Sequence, residues 1–413
     1  MTEGRPAPGL LARLSQEGFR LFFPISAVYA GSFPILWLVA GGLDLPLARD
    51  VPAGLWHGYE MIIGAFGAAL IGFLTTAVPE WTDSKPPKDR TLWAFCAVWM
   101  IGRVSGLLGW QGVGLVGAMA DLLWIAALAF WLVRLSVRRR TDRLIAFAFW
   151  LVVLAACAVG GRLSFAFGDL DLAARGIHLA GFAFLGLLGL SLARITVPVT
   201  NLILDPTEKS SPYRPHPGRR HLATGLIFVA ILGDAFFLSP AVSGFLILAA
   251  GAAFMDRVAE AFVGRLAARA EILMLAGSAM LAGVGLLLIG TARLGAPWGQ
   301  VTGMHVALMG GLGLGIYAVF SIAGLLHTDR PLGLSRRTRL GALLVVFAVG
   351  SRIAPDLGFP LPGPVYGAAS LIWALAFFVW LTEYWPYLIE GHKDHTCGRP
   401  GSGSNPVQAQ AAE

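Results

Sequence analysis

Three histidines stand near the start of long apolar runs: His57 in LWHGYEM, His178 in RGIHLAG and His305 in TGMHVAL. Neutral imidazole is a common ligand of haem iron and copper. If all three runs enter a membrane from the same side, the imidazoles lie at similar depth, which is how a haem or metal site would use them. The plain alternative is that each caps a helix near the headgroups. On a helix, His57 shares a face with Glu60, Met61, Gly64 and Ala68, while Tyr59 points elsewhere. Glu60, one turn from His57, is placed to hydrogen-bond and orient an imidazole. Met61 would pack on a haem or act as a soft ligand. The small residues Gly64, Gly67, Ala68, Ala69 and Gly72 let a helix or a flat macrocycle come close; for most of them helix packing is the simpler role.

A short echo places arginines at the same level. GRVSGLLG (102–109), GRLSFAFG (161–168) and GSRIAP (350–355) each end an apolar run on the side of the histidines. Arg103, Arg162 and Arg352 would there hold anions such as haem propionates bidentately. The alternatives are snorkelling to headgroups, or pairing with Asp169, Asp171 or Asp356. A second polar set gathers at the opposite ends of the runs: Thr75, Thr76, Glu80, Arg194, Thr200, Asn201, His327 and Asp329. These would line another site, or cap helix ends, which is the more ordinary role of Thr, Asn and Pro. Asp121 and Asp234 fall well inside apolar segments, where an unpaired charge is costly and a paired or functional role is the default. GHKDHTCG near the C-terminus brings His392, His395 and Cys397 together at loose metal-ligand spacing.

The elements that would position these groups are membrane helices. Of 413 residues, 56% are hydrophobic and only 13% charged; a soluble domain carries about a quarter charged residues. Spans are expected near 21–42, 55–79, 91–109, 112–134, 143–167, 174–194, 221–239, 241–256, 271–290, 300–326, 338–354 and 364–389. The runs are too long and too continuous for barrel strands. The short 241–256 and 338–354 segments are the least secure. With the N-terminus in the cytoplasm, only Arg49, Arg103, Arg162, Arg175, Arg293 and Arg352 of the 31 basic residues fall on the outer side. That bias fits the positive-inside rule with an even number of spans and both termini cytoplasmic. The net charge of +7 thus reflects topology and points to no nucleic-acid partner. The expectation is an all-α integral membrane protein with a cytoplasmic segment 1–20 and a single twelve-helix domain 21–390. Its halves, 21–201 and 221–390, would be joined by the Pro- and Ser-rich loop 202–220, and a disordered tail would follow at 391–413. Residues 256–270 read as a surface helix. No secretory signal pattern is present. Cys96 and Cys157 lie in apolar runs, and the absence of CxxCH excludes covalent c-type haem.

WHGYEM, GFLTTAVPEWT, RITVPVTN, the His305 segment through LLHTDRPL, and LTEYWPYLIE resemble the signature segments of the NnrS family, in order and spacing, from GFRLFFP (18–24) to YWPYLI (384–389). That resemblance implies a twelve-span bacterial inner-membrane protein associated with haem and copper, with denitrification and with tolerance of nitric oxide. It implies His57, Glu60, His305 and His327 as cofactor contacts, and places Arg194 and Asn201 in the family's inner-end motif. The chain departs from the pattern at Tyr59, where the family's WHxHEM carries a second histidine. A phenol there replaces a nitrogen donor and puts copper binding in question. The inner-end segment is also divergent.

These readings lead to a haem b protein that senses, binds or mitigates nitric oxide. His57, His178 and His305 would face the cofactor, with His57 and His305 as metal ligands. An oxidase-type catalytic subunit would need about six membrane histidines by ligand counting, and the chain offers three, or four with His327. A transporter for a metal ion or small ligand is the alternative, suggested by twelve spans and by Asp121 and Asp234.

Overall fold

The computed structural model describes residues 9–390, and among these the chain is all-helical. The tail with His392, His395 and Cys397 lies outside the described residues. Helices form on all twelve predicted segments: α1 (Gly18–Gly42), α2 (Ala53–Trp81), α3 (Arg90–Leu108), α4 (Gly114–Arg139), α5 (Ile145–Ala166), α6 (Leu170–Leu204), α7 (Leu222–Ala235), α8 (Pro240–Arg257), α9 (Ala270–Arg293), α10 (Gln300–Leu326), α11 (Arg336–Ile353) and α12 (Gly367–Ile389). Ten are long and apolar enough to cross a membrane, the composition of a multi-pass membrane protein. The other two are α7 and α11. Helix α7 has only 14 residues, because Phe237 turns to a φ of +55° and Pro240 starts the next helix. Helix α11 opens with Arg336, Arg337 and Arg339. The segment at 241–256, expected to be among the weakest, meets the length and apolarity of a span.

Local signals set several helix starts. Asp169 accepts from Leu172 N at 2.9 Å, Ser239 from Val242 N at 3.3 Å ahead of Pro240, and Ser335 from Thr338 N at 3.1 Å. Each such cap satisfies an amide that lipid cannot, and is worth about 1 kcal/mol. The expected surface helix at 256–270 does not form. Short 3-10 turns occupy Val258–Ala261 and Gly264–Ala268 instead, because Gly264 takes a φ of +68° that breaks a right-handed helix.

Helices α2, α6 and α10 form the centre and pack on one another. In each, 78% of the apolar window is buried, against 33–56% in the other candidate spans. Around them α1 packs on α12, α4 on α5, and α8 on α9, as outer pairs of an incomplete ring. Each run of four helices therefore contributes its second helix to the centre. The 202–220 connection falls inside the second run of four, between α6 and α7. The ring carries large apolar side chains on its outside, such as Leu115, Met119 and Leu123 of α4 and Leu343 and Phe347 of α11. Such a surface suits lipid.

Two of the central helices widen locally. Residues Glu60–Ala65 of α2 and His305–Leu312 of α10 adopt π-helical turns. Such insertions are rare in helices and are frequent at functional sites. Both lie at the level of the histidines.

Candidate functional site: a histidine cavity beside a buried ion cluster

His57, His178 and His305 sit on the three central helices, and the structure brings them to the wall of one cavity of about 530 Å³. That volume is in the range of cofactor pockets, about 300–1,000 Å³. The wall is otherwise mostly apolar and includes Trp37, Met61, Ile62, Met304, Met309 and Trp373. The rings of His57 and His305 are nearly parallel, at 17°, with centroids 6.3 Å apart. His305 Nδ1 lies 2.9 Å from the Val301 carbonyl. A carbonyl only accepts, so Nδ1 carries the hydrogen and Nε2 keeps its lone pair. His57 Nδ1 is buried with no hydrogen-bond partner. Trp37 lies against the His57 ring at 4.7 Å, and Phe33 runs nearly parallel to it at 6.3 Å.

Arg352 is the one of the three echo arginines that reaches this cavity. Its guanidinium pairs with Asp356 at 3.0 Å and lies over the Tyr366 ring at 4.0 Å. Asp356 also accepts from Thr302 Oγ1 at 2.8 Å. The pairing with Asp356, one of the alternatives in the sequence, is the one found.

Glu60, Arg103 and Arg162 depart from expectation. Glu60 makes no hydrogen bond to His57. The π-helical turn begins at Glu60, and Glu60 faces α3 and α4. There it accepts from Arg103 Nη1 at 2.5 Å and from the Tyr29 hydroxyl at 2.6 Å. Arg103 Nη2 donates to Asp121 Oδ1 at 2.5 Å, and the Tyr59 hydroxyl donates to Asp121 Oδ2 at 2.8 Å. Trp124 Nε1 completes the shell of Asp121 at 3.2 Å. Arg162 lies 3.9 Å from Asp121 and stacks over the rings of Tyr59 and Trp110, at 4.7 and 5.0 Å. Two carboxylates and two guanidiniums, each at most 3% exposed, thus form a cluster of zero formal charge. The echo has a steric basis here. A Cβ on Gly102 would stand 2.6 Å from Asp121 Oδ1, and one on Gly106 would stand 2.1 Å from Glu60 Oε1. The glycines around Arg103 make room for its carboxylates.

Asp234, the other acid inside an apolar segment, is held bidentately by Arg293 at 2.6 and 3.2 Å. The polar set at the helix ends opposite the histidines divides in two. His327 Nδ1 lies 3.4 Å from Glu80 and its ring packs on Phe19 at 5.2 Å. Arg194 and Asn201 line a separate cavity against the 202–220 loop. Thr75 bonds back within α2 to Ile71 O at 2.6 Å, and Thr76 accepts from Phe19 N in the first turn of α1 at 2.9 Å, a helix-end role. Arg194 is sixteen residues beyond His178 on α6, about 24 Å along the axis. Neither it nor Asn201 shares the histidine cavity.

Sequence reasoning passed over Tyr29, Phe33 and Trp37. Their signal was present: aromatics every four residues put one face of α1 against α2, with Tyr29 on Glu60 and the other two on His57. Among the described residues, no three His, Cys, Asp or Glu side chains converge as a metal site.

A family model described as NnrS protein matches residues 13–391. The chain belongs to the NnrS family. No curated protein and no solved structure matches it significantly. Within this NnrS protein, Tyr59 is one of two hydroxyl donors to a buried ion cluster and lies off the face that carries His57.

Proposed function

We propose that this NnrS protein binds haem b between His57 and His305 and acts in the response to nitric oxide and nitrosative stress, as an accessory to denitrification. The observation that supports this is the pair of near-parallel imidazoles on the wall of an apolar cavity. Their centroids lie 6.3 Å apart, which keeps both rings at one place on the cavity wall, within reach of one bound group. The residues fit the group. His305 presents Nε2 because its Nδ1–H is held by Val301. His57 has a buried nitrogen that no protein group satisfies. Arg352 at the same wall is placed to meet a carboxylate of the cofactor, and the apolar lining excludes water. His178 takes a contact role. Haem iron bound here would supply a centre for electron transfer or for capture of nitric oxide, which partitions into lipid.

The same reading makes all twelve helices membrane crossings, with both termini in the cytoplasm and the protein in the bacterial inner membrane. The histidine end then faces outward. A copper site is not favoured, because Tyr59 gives its hydroxyl to Asp121 in place of a second imidazole. Transport is not favoured either: Asp121 and Asp234, the acids that suggested it, are both committed to arginines. The test is an absorption spectrum of protein purified from cells with ample haem. A b-type spectrum is expected, and it should disappear in the pair His57→Ala/His305→Ala. A colourless wild-type protein would sink the proposal.

A further inference from the structure

The second cavity, about 310 Å³, is built at the far end of α6 from that helix, the loop 205–217 and the end of α8. Its loop wall is pinned rather than open. Asn201 holds the Tyr213 backbone through both side-chain atoms, at 2.8 and 3.2 Å. The Asp205 carboxylate accepts from the amides and hydroxyls of Thr207 and Ser210, at 2.5–3.0 Å. Arg219 grips Asp256 bidentately at 2.7 and 3.1 Å, which ties the loop to α8.

These contacts also use up the acids. Asp205 is committed to its loop, Asp256 to Arg219, and Glu260 to Arg257 at 3.4 Å. Glu208 is the remaining acid on the wall. Against it stand Arg194 and Arg214, while Arg257 is already paired with Glu260. Arg194 donates one nitrogen to the Arg143 carbonyl at 3.0 Å, while its Nη1 is buried with no partner. Outside the helices, burial together with Arg220, Arg194 and Arg257 holds His221 below the usual histidine range, which reports a converging positive field. Burial, with Glu260 nearby, pushes the Tyr213 phenol up to about 12, so it enters as a neutral donor.

We infer that this cavity binds a phosphate group, with Arg194 Nη1, Arg214 and the Tyr213 hydroxyl as donors. Guanidinium forks match the oxygens of phosphate. The group would belong to a phospholipid headgroup or to free inorganic phosphate. The cavity is larger than a bare phosphate needs, and Glu208 offers a place for the amine of a zwitterionic headgroup. The site is separate from the histidine cavity and does not depend on haem.

The experiment uses the full chain purified in mild detergent. Inorganic phosphate is titrated at constant ionic strength, with chloride as control, and the thermal midpoint is followed. Native mass spectrometry of the same preparation reads retained phospholipid. A saturable midpoint increase with phosphate identifies the free ion; phospholipid carried through purification identifies the headgroup. In Arg194→Gln the apparent affinity or lipid occupancy should fall about tenfold, the size of one charge-assisted hydrogen bond. Arg214→Gln should give a smaller loss in the same direction. Arg214 is exposed, so its variant folds and decides the matter if Arg194→Gln does not. The proposal is overturned if wild-type protein shows neither response, or if both variants behave as wild type.

Discussion

One turn of α2 faces two different worlds. On one side His57 borders an apolar cavity with a ring nitrogen that has no partner. On the other side Tyr59 and Glu60 enter a cluster of matched charges, in which Arg162 stands 3.9 Å from Asp121 without a hydrogen bond to it. Polar groups in lipid are expensive wherever they occur, so the two regions are two answers to one cost. The ion cluster meets it by internal pairing, and that is structural work: it clamps α2 to α3 and α4. The imidazoles leave their ligand atoms unspent, which is what a binding site requires. What separates the clamp from the site is charge partnership: the cluster sets carboxylates against guanidiniums, while the imidazoles border a cavity.

The largest expected effect is from breaking the clamp. Asp121→Ala would leave Arg103 and Arg162 without their shared carboxylate. Loss of one partner of a buried ion pair costs about 3–5 kcal/mol. Thermal unfolding of the purified protein should show a large drop in midpoint, or no monodisperse protein at all. An unchanged midpoint would mean the cluster does not hold the helices together. Tyr59→Phe should cost less, about 1.5–3 kcal/mol, because it removes one hydrogen bond to a charged group. The same variant should keep its full haem content. Loss of haem in Tyr59→Phe would erase the distinction between the two faces of α2.

His57→Ala/His305→Ala should reverse that pattern. The pair gives up one hydrogen bond, His305 to Val301, worth about 1 kcal/mol, and should fold with nearly the wild-type midpoint. Its haem-to-protein ratio, read by a pyridine haemochrome assay, should fall to the background. The smallest effect lies at the end of the bundle opposite the histidines. Hydrogen bonds from Thr207 and Ser210 hold Asp205 well below its ordinary value of 3.8. A depressed acid contributes stability that is complete above the unfolded value and is lost as pH falls through the lower folded value. Amide exchange of residues 205–210 should therefore stay protected from pH 7 to about pH 4, and weaken only in stronger acid. Asp205→Asn should lose that protection already at pH 7, with no change at the histidine cavity.

How far each residue could be read in advance follows from what fixes it. His57, His178 and His305 were legible because their depth is set by chain position within a span. Asp121 was legible as a group that needs a partner, since burial in lipid forbids a lone carboxylate. Arg103 and Arg162 misled. Position along the helix placed them at the level of the histidines, but facing is a matter of rotation about the helix axis. That rotation is set by neighbours, here Asp121 and Glu60. Glu60 illustrates the limit most closely. Three residues from His57 it shares a broad face in projection, yet in the packed protein the two point into different compartments.

The sequence by itself determined that the chain is helical, that lipid is its solvent, which segments form helices, and to which family it belongs. All of these follow from local composition and period, because in a membrane each helix must satisfy its own backbone. Only the tertiary structure decided that α2, α6 and α10 meet at the centre, that two of the three echo arginines close an ion cluster, and that Arg194 and Asn201 line a cavity of their own. Those outcomes depend on which helix faces which. Such pairings arise from close packing and from charge partners far apart in the chain, which no local pattern records.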